Sequence, residues 1–288
     1  MPRFFIAETV AEQAEQLTLS ADDTHHILHV LRLKRGDPMT VCDGSHTIHS
    51  CILEDLPSAG EALTVRITDR RKGQAEPPYS VTLYQGIPKG DKMGTVVRMA
   101  VELGVGRIVP VLCDRSVSRP AGNKGKDKAL RWQKVATAAA KQSGRDLIPT
   151  VSAPLTFKEA LAELLTSGSG ARPEEKKTGE QAGLPAATAG GAGETDNQGR
   201  CRLLFAPYEG ETETSLRSWL SAATKNRPAD QPEQVAFFIG PEGGFSGAEE
   251  AALAAAGVAT VSLGNRILRT ETAAAAVLSM LSYELEMA

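Results

Sequence analysis

Two periods alternate along the second part of the chain. Ser80–Ile87 is an apolar run of strand length, whereas Met93, Val96, Val97, Ala100 and Val101 recur at helical spacing between Asp91 and Leu103. Gly104 and Gly106 stop that predicted helix, and Arg107–Leu112 predicts the next strand. The alternation continues through a helix over Leu130–Gln142 and strands over Arg202–Phe205, Val235–Ile239 and Thr260–Leu263. It adds a helix after Ser246 and a last helix from Glu271; Ser246 and Glu249 have the spacing of a capping box. Strands alternating with helices predict an α/β fold, a mostly parallel sheet covered on both faces.

The first seventy residues follow another pattern. Oxygens of Asp22, Asp23 and Thr24 offer an N-cap, and a helix over His25–Leu33 would turn Ile27, Val30 and Leu31 to one face. Pro38–Gly44, Thr47–Leu53 and Leu63–Ile67 read as short strands joined by Asp-Gly and Gly turns, the signature of a small β-barrel. A polar stretch from Arg70 to Gly73, stiffened at Pro77-Pro78, reads as a linker. The predicted domains are therefore 1–73 and 74–288. Residues 166–200 fit neither pattern: eight glycines and a single large aliphatic, Leu184, predict a disordered insertion.

Charge sharpens this picture. The net charge is −3, yet residues 86–149 hold thirteen Lys/Arg against five Asp/Glu, while the segments on either side are acidic. A basic block in an acidic chain is the footprint expected of a phosphate-binding face, although charge runs are often only solvated surface. No stretch approaches the ~18–20 apolar residues of a membrane span. The acidic opening lacks the pattern of a secretory signal, and the four cysteines Cys42, Cys51, Cys113 and Cys201 are scattered. A cytoplasmic protein with reduced thiols is expected.

Four segments are candidates for chemistry. His25 and His29 would share a helical face, but no third ligand stands at a matching offset, so no metal is expected. Gly86–Lys92 opens a helix after a strand but lacks the glycine spacing and hydroxyl of a phosphate loop. Lys89 and Lys92 remain candidates for RNA phosphates. Gly240-Pro241-Glu242-Gly243-Gly244 leaves an apolar strand and leads to a capped helix; it reads equally as a tight turn or as a ligand loop. Leu263–Ala273 leaves another strand through Gly264, and its Ile267, Leu268 and Arg269 suit a site that sandwiches a purine.

These last two loops, taken together, resemble the paired cofactor loops of the SPOUT methyltransferases, and most closely the ribosomal RNA small-subunit methyltransferase E family. Pro2–Phe5, His26–Arg32, Lys89–Lys92, Glu102–Gly104, Trp132–Lys134 and Gln142–Arg145 agree with it, and the resemblance spans nearly the whole chain except 166–200. It implies a C-terminal α/β domain with a deep trefoil knot, preceded by a small PUA-like β-barrel. It also implies transfer of a methyl group from S-adenosyl-L-methionine to N3 of a uridine in 16S ribosomal RNA, with the small ribosomal subunit as partner, a homodimer, and no metal or membrane. The implied cofactor residues are Ile239, Gly240, Pro241, Glu242, Gly243, Leu263, Gly264, Ile267, Leu268 and Thr272. RNA contacts are expected from Arg3, Arg32, Lys89, Lys92, Arg119 and Gln142. Removing the N3 proton leaves an anion that an arginine would stabilise, which makes Arg269 and Arg145 the catalytic candidates. Glu271 is open to two readings, a base or a favourable charge at a helix start. The competing function is a non-enzymatic RNA-binding or ribosome-assembly protein with a degenerate cofactor site.

Overall fold

The computed structural model describes residues 1–54, 62–120, 122–166, 194–195, 201–225 and 234–286. The chain divides into two compact units, Met1–Glu76 with Thr137–Ile148, and Pro77–Ala136 with Pro149–Ala288. The insertion expected at 166–200 lies outside the described residues, apart from Thr166 and Glu194–Thr195.

In the first unit β1 (Arg3–Phe5), β2 (Gln16–Thr18), β3 (Pro38–Cys42), β4 (Thr47–Leu53) and β5 (Thr64–Lys72) form one sheet in the order β1-β3-β4-β5-β2. Only β1 and β3 run parallel; the other pairs are antiparallel. Phe4, Leu17, Ile27, Met39, Val41, Leu53 and Val65 pack as its core. β5 runs on through Arg70–Lys72, so the expected linker begins three residues later than the charge pattern suggested.

The helix expected over His25–Leu33 takes a different form. α1 (Ala21–His25) is capped by Ser20, not by Asp22–Thr24, and gives way to a π-helical turn over His26–Val30. The Leu31 N–H bonds to the His26 carbonyl five residues back, which widens the turn. Ile27 stays buried, but Val30 and Leu31 are 59% and 39% exposed rather than inward.

Two buried charge clusters hold this unit. The Asp43 carboxylate accepts the backbone N–H groups of Val10, Ser45 and Thr47 at 2.9–3.1 Å and lies 3.0 Å from His49 Nε2. Burial alone would raise its pKa, but these bonds, that of His49 foremost, hold it well below the usual carboxylate range. Glu76 likewise accepts Arg145 Nε at 3.0 Å and the backbone N–H groups of Asp146 and Leu147.

The second unit is the α/β layer structure. β6 (Ser80–Gly86), β7 (Arg107–Leu112), β8 (Thr150–Val151), β9 (Leu155–Thr156), β10 (Glu194–Thr195), β11 (Cys201–Pro207), β12 (Gln234–Ile239) and β13 (Ala259–Val261) make an eight-stranded sheet. The path is β10-β11-β12-β6-β7-β8, with β13 on β11 and β9 on β7, and every pair but β10–β11 is parallel. Successive residues of a strand face opposite ways. Tyr84 and Phe238 therefore pack toward α4 (Phe157–Thr166) and α6 (Gly247–Ala255), while Phe205 and Phe237 stack on the other face beside Trp219 of α5 (Leu216–Thr224). α2 (Lys92–Glu102) packs against α7 (Thr270–Leu285). α3 (Gly122–Ser143) starts eight residues before the predicted helix, through a polar segment holding Gly122 and Gly125 that shows no apolar helical period.

Candidate active site

Parallel strands end where their loops turn outward, and at that edge binding crevices form. Loops leaving β11, β12 and β13 enclose one cleft of about 570 Å³. The first supplies Pro207, Tyr208 and Glu209; the second, Ile239 to Phe245; the third, Leu263, Gly264 and Arg266 to Thr270. Gly264 has φ +105°, a backbone state that suits glycine, and lets the third loop leave its strand at a sharp angle.

The second loop is braced from several sides. Ser246 and Glu249 form the predicted capping box at the start of α6, and the largely buried Glu249 also accepts the Asp114 N–H at 2.9 Å. Arg115 donates to the Gly243 carbonyl at 2.9 Å, and the Thr270 hydroxyl to the Gly240 carbonyl at 2.7 Å. Glu242 lines the cleft, but its carboxylate accepts the Lys89 N–H and Lys92 Nζ, each at 3.2 Å. Partial burial works against its charge, yet backbone and lysine hydrogen bonds outweigh that and hold its pKa below the ordinary value.

The walls are chemically uneven. Ile239, Leu263, Leu268 and Phe245 are apolar, the glycine backbone exposes peptide groups, and Arg115, Arg266 and Arg269 bring positive charge. Such a cleft suits a flat, partly polar molecule held between aliphatic side chains, with peptide groups reading its edge. Arg269 stands at the N-cap of α7, exposed, and its side chain has no hydrogen bond or ion pair among the described residues. Among those residues no three His, Cys, Asp or Glu side chains group as metal ligands, and no helix is long and apolar enough to cross a membrane.

Comparison with known proteins decides the family. Residues 75–282 match the model of an RNA methyltransferase domain. The ribosomal RNA small subunit methyltransferase E of Bacillus subtilis is 28% identical over 100% of this chain and 98% of its own length. The Synechocystis enzyme of that name is 31% identical over 94% of this chain and 74% of its length. Among solved structures, the methyltransferase E of Neisseria gonorrhoeae bound to S-adenosyl methionine superposes with a TM-score of 0.72 at 26% identity, covering 99% of this chain and 98% of its own. The chain belongs to the ribosomal RNA small subunit methyltransferase E family.

Nine of the ten cofactor positions expected for a methyltransferase E line the one cleft: Ile239, Gly240, Pro241, Glu242, Gly243, Leu263, Gly264, Ile267 and Leu268. Thr272 does not. It is exposed on α7; the threonine that reaches the cleft is Thr270, two residues earlier and about 200° away around the helix. Arg115, Tyr208 and Glu209 also line it, although no motif in their own segments marks them; only the strand order brings them there.

The two arginines proposed for catalysis differ. Arg269 lines the cleft, whereas Arg145 belongs to the first unit, 4% exposed, with its guanidinium on Glu76. Its position has a structural account, and no catalytic role is assigned to it. Arg3 is turned inward as well, donating to the carbonyls of Gly144 and Arg145 and to Asp146. Arg119 donates to the Cys113 and Asp114 carbonyls. Lys92 is shared by Glu242 and Glu271. Arg32, Lys89 and Gln142 are exposed.

Proposed function

We propose that the chain transfers a methyl group from S-adenosylmethionine to N3 of a uridine in 16S ribosomal RNA, with the cleft at the ends of β11, β12 and β13 holding the cofactor. The observation that carries this reading is the meeting of the two glycine loops in one cleft whose size and lining suit a nucleoside. When bound, the cofactor supplies an electrophilic methyl on sulfur. Leu263 and Leu268 would bracket its adenine, the peptide groups of Gly240 to Gly243 would meet its polar edges, and the acidic rim at Glu209 and Glu250 would favour its positive charges.

Uridine N3 carries a proton in the neutral base. As that proton is lost to water, negative charge spreads onto the flanking carbonyl oxygens, and N3 would bond to the methyl carbon as the methyl–sulfur bond breaks and a neutral thioether departs. The Arg269 guanidinium at the cleft rim, without a partner among the described residues, is suited to meet that charge, and this is the role assigned to it. Glu271 has one carboxylate oxygen 3.5 Å from Lys92 Nζ, an ion pair that suits a structural part at the helix start. Exposed Arg32, Lys89 and Gln142 are the candidates for RNA contact.

The same reading assigns the second unit to the SPOUT fold with its trefoil knot, and the first to a PUA-like barrel that binds RNA. What supports the knot is the return of β13 to β11 after β12 has entered between β11 and β6. A homodimer is part of the proposal: α7 leaves Met280 and Tyr283 39% and 68% exposed, apolar area that a second copy would cover. The activity belongs in the cytoplasm, where the ribosomal substrate is. Calorimetric titration with S-adenosylmethionine tests the cofactor assignment. Micromolar one-site binding is expected; no binding at millimolar cofactor would favour an RNA-binding protein without catalysis.

A further inference from the structure

The segment joining β6 to α2 touches both cofactor loops. Gln85, at the end of β6, is wholly buried and donates from Nε2 to the Thr270 hydroxyl at 2.8 Å. That hydroxyl in turn donates to the Gly240 carbonyl at 2.7 Å. One chain of hydrogen bonds thus runs from the sheet, through the start of α7, to the first residue of the glycine loop.

Lys92, at the start of α2, forms a second link. Its Nζ lies 3.2 Å from Glu242 Oε1 and 3.5 Å from Glu271 Oε1, so one ammonium holds a residue of each loop. The Lys89 N–H reaches the same Glu242 carboxylate at 3.2 Å. Packing brings the backbones together too: a Cβ on Gly86 would stand 2.6 Å from Pro241 Cδ, so only glycine admits this approach. Neither Gln85 nor Lys92 lines the cleft.

From this arrangement we infer that Lys92 and Gln85 are positioning residues of the cofactor site, setting the separation of the two loops through Glu242, Glu271, Thr270 and Gly240. The basic block had marked Lys92 for RNA phosphate. Two carboxylates already neutralise it, which makes it a poor phosphate ligand and a good clamp. The inference rests on the cofactor reading above.

Lys92 is the better test, because its own side chain is 38% exposed; Glu271, 18% exposed, loses its cation in the variant, and Lys92→Arg and the Tm separate that cost from the effect on the cofactor. Lys92→Met and Lys92→Arg are compared with the unmodified chain for S-adenosylmethionine Kd by calorimetry, 16S RNA Kd, kcat, KM and Tm. A partly exposed pair of this kind is worth up to ~1 kcal/mol, so Lys92→Met should raise the cofactor Kd and KM by about fivefold. RNA Kd should not move, and Lys92→Arg should restore most of the loss. The inference is overturned if cofactor affinity holds while RNA binding weakens, which would return Lys92 to the RNA face. It is overturned equally if both variants merely lower Tm with cofactor Kd unchanged. If the unmodified chain binds no S-adenosylmethionine, the cofactor reading itself fails and takes this one with it. If it binds and Lys92→Met binds equally well, this inference alone fails.

Discussion

Arg269 is a charged side chain at the mouth of the cleft with no hydrogen-bond or ion-pair partner among the described residues. A group that stabilises charge only as the proton leaves uridine should matter to turnover and little to cofactor affinity. Arg269→Ala is expected to lower kcat by on the order of 10²–10³ with cofactor Kd within about threefold. Lysine restores the charge without the planar fork and should recover part of the rate. Steady-state kinetics beside calorimetry check this; a lost cofactor affinity with normal turnover at saturation would make Arg269 a cofactor ligand. Asp43 illustrates the structural counterpart, a buried carboxylate that three backbone N–H groups converge on. Asp43→Asn should destabilise the protein by about 3 kcal/mol at pH 7, read from denaturant unfolding. The folded-state pKa of Asp43 is lowered, so its stabilisation is complete above the ordinary carboxylate value and fades as pH falls toward the folded one. The gap between the two proteins should therefore narrow below about pH 4. A gap that stays constant down to pH 2 would contradict the assignment.

Element by element, what periodicity encodes was readable and what hydrogen-bond geometry encodes was not. The five apolar positions predicted to face inward from α2 are the five buried there, because burial of one helical stripe is what that spacing records. The π-helical turn at His26–Val30 is invisible to a 3.6 period, so Val30 and Leu31 were assigned inward. Thr272 came with the family resemblance and not from periodicity; Thr270, two residues earlier, is the threonine that lines the cleft. The two glycine loops stood out by their place between apolar strands and helices, the first reading equally as a tight turn until both were set beside the family. The third wall at Tyr208 and Glu209 depends on strand order, which no local pattern carries. Close approach of elements also gives a test. Gly86→Ala would place a Cβ against Pro241 and push the glycine loop away from β6, and cofactor Kd should rise by tenfold or more, on the order of the loss that ~1 Å displacements cause. A calorimetric Kd unchanged in that variant would show that the loop adapts.

For the whole molecule, the sequence division at residue 73 and the observed units differ in an instructive way. The first unit runs to Glu76 and also takes up Thr137–Ile148, because Glu76 and Asp146 gather the Arg145 and Arg3 side chains. Contacts so far apart in sequence leave no compositional mark. The basic block over 86–149 is likewise divided between the units, and several of its cations are occupied: Lys92 by two carboxylates, Arg145 by Glu76, Arg131 by Asp91. RNA affinity should still fall with salt, but with a log–log slope well short of the thirteen cations counted there, nearer −4 than −10 at ~0.9 per phosphate contact. Filter binding across a salt series reads that slope, and a value near −10 would mean the paired cations are released to phosphate. Light scattering at low micromolar concentration should give twice the 30.5 kDa chain mass.

The central claim is a reaction at one atom. The purified chain, incubated with methyl-labelled S-adenosylmethionine and unmodified small ribosomal subunits, should place label in 16S RNA, and nuclease digestion with mass spectrometry should recover it as a single N3-methyluridine. The Arg269→Ala variant should yield that product at a small fraction of the rate. Label on another base or on the ribose, or none with native subunits and saturating cofactor, would contradict the account.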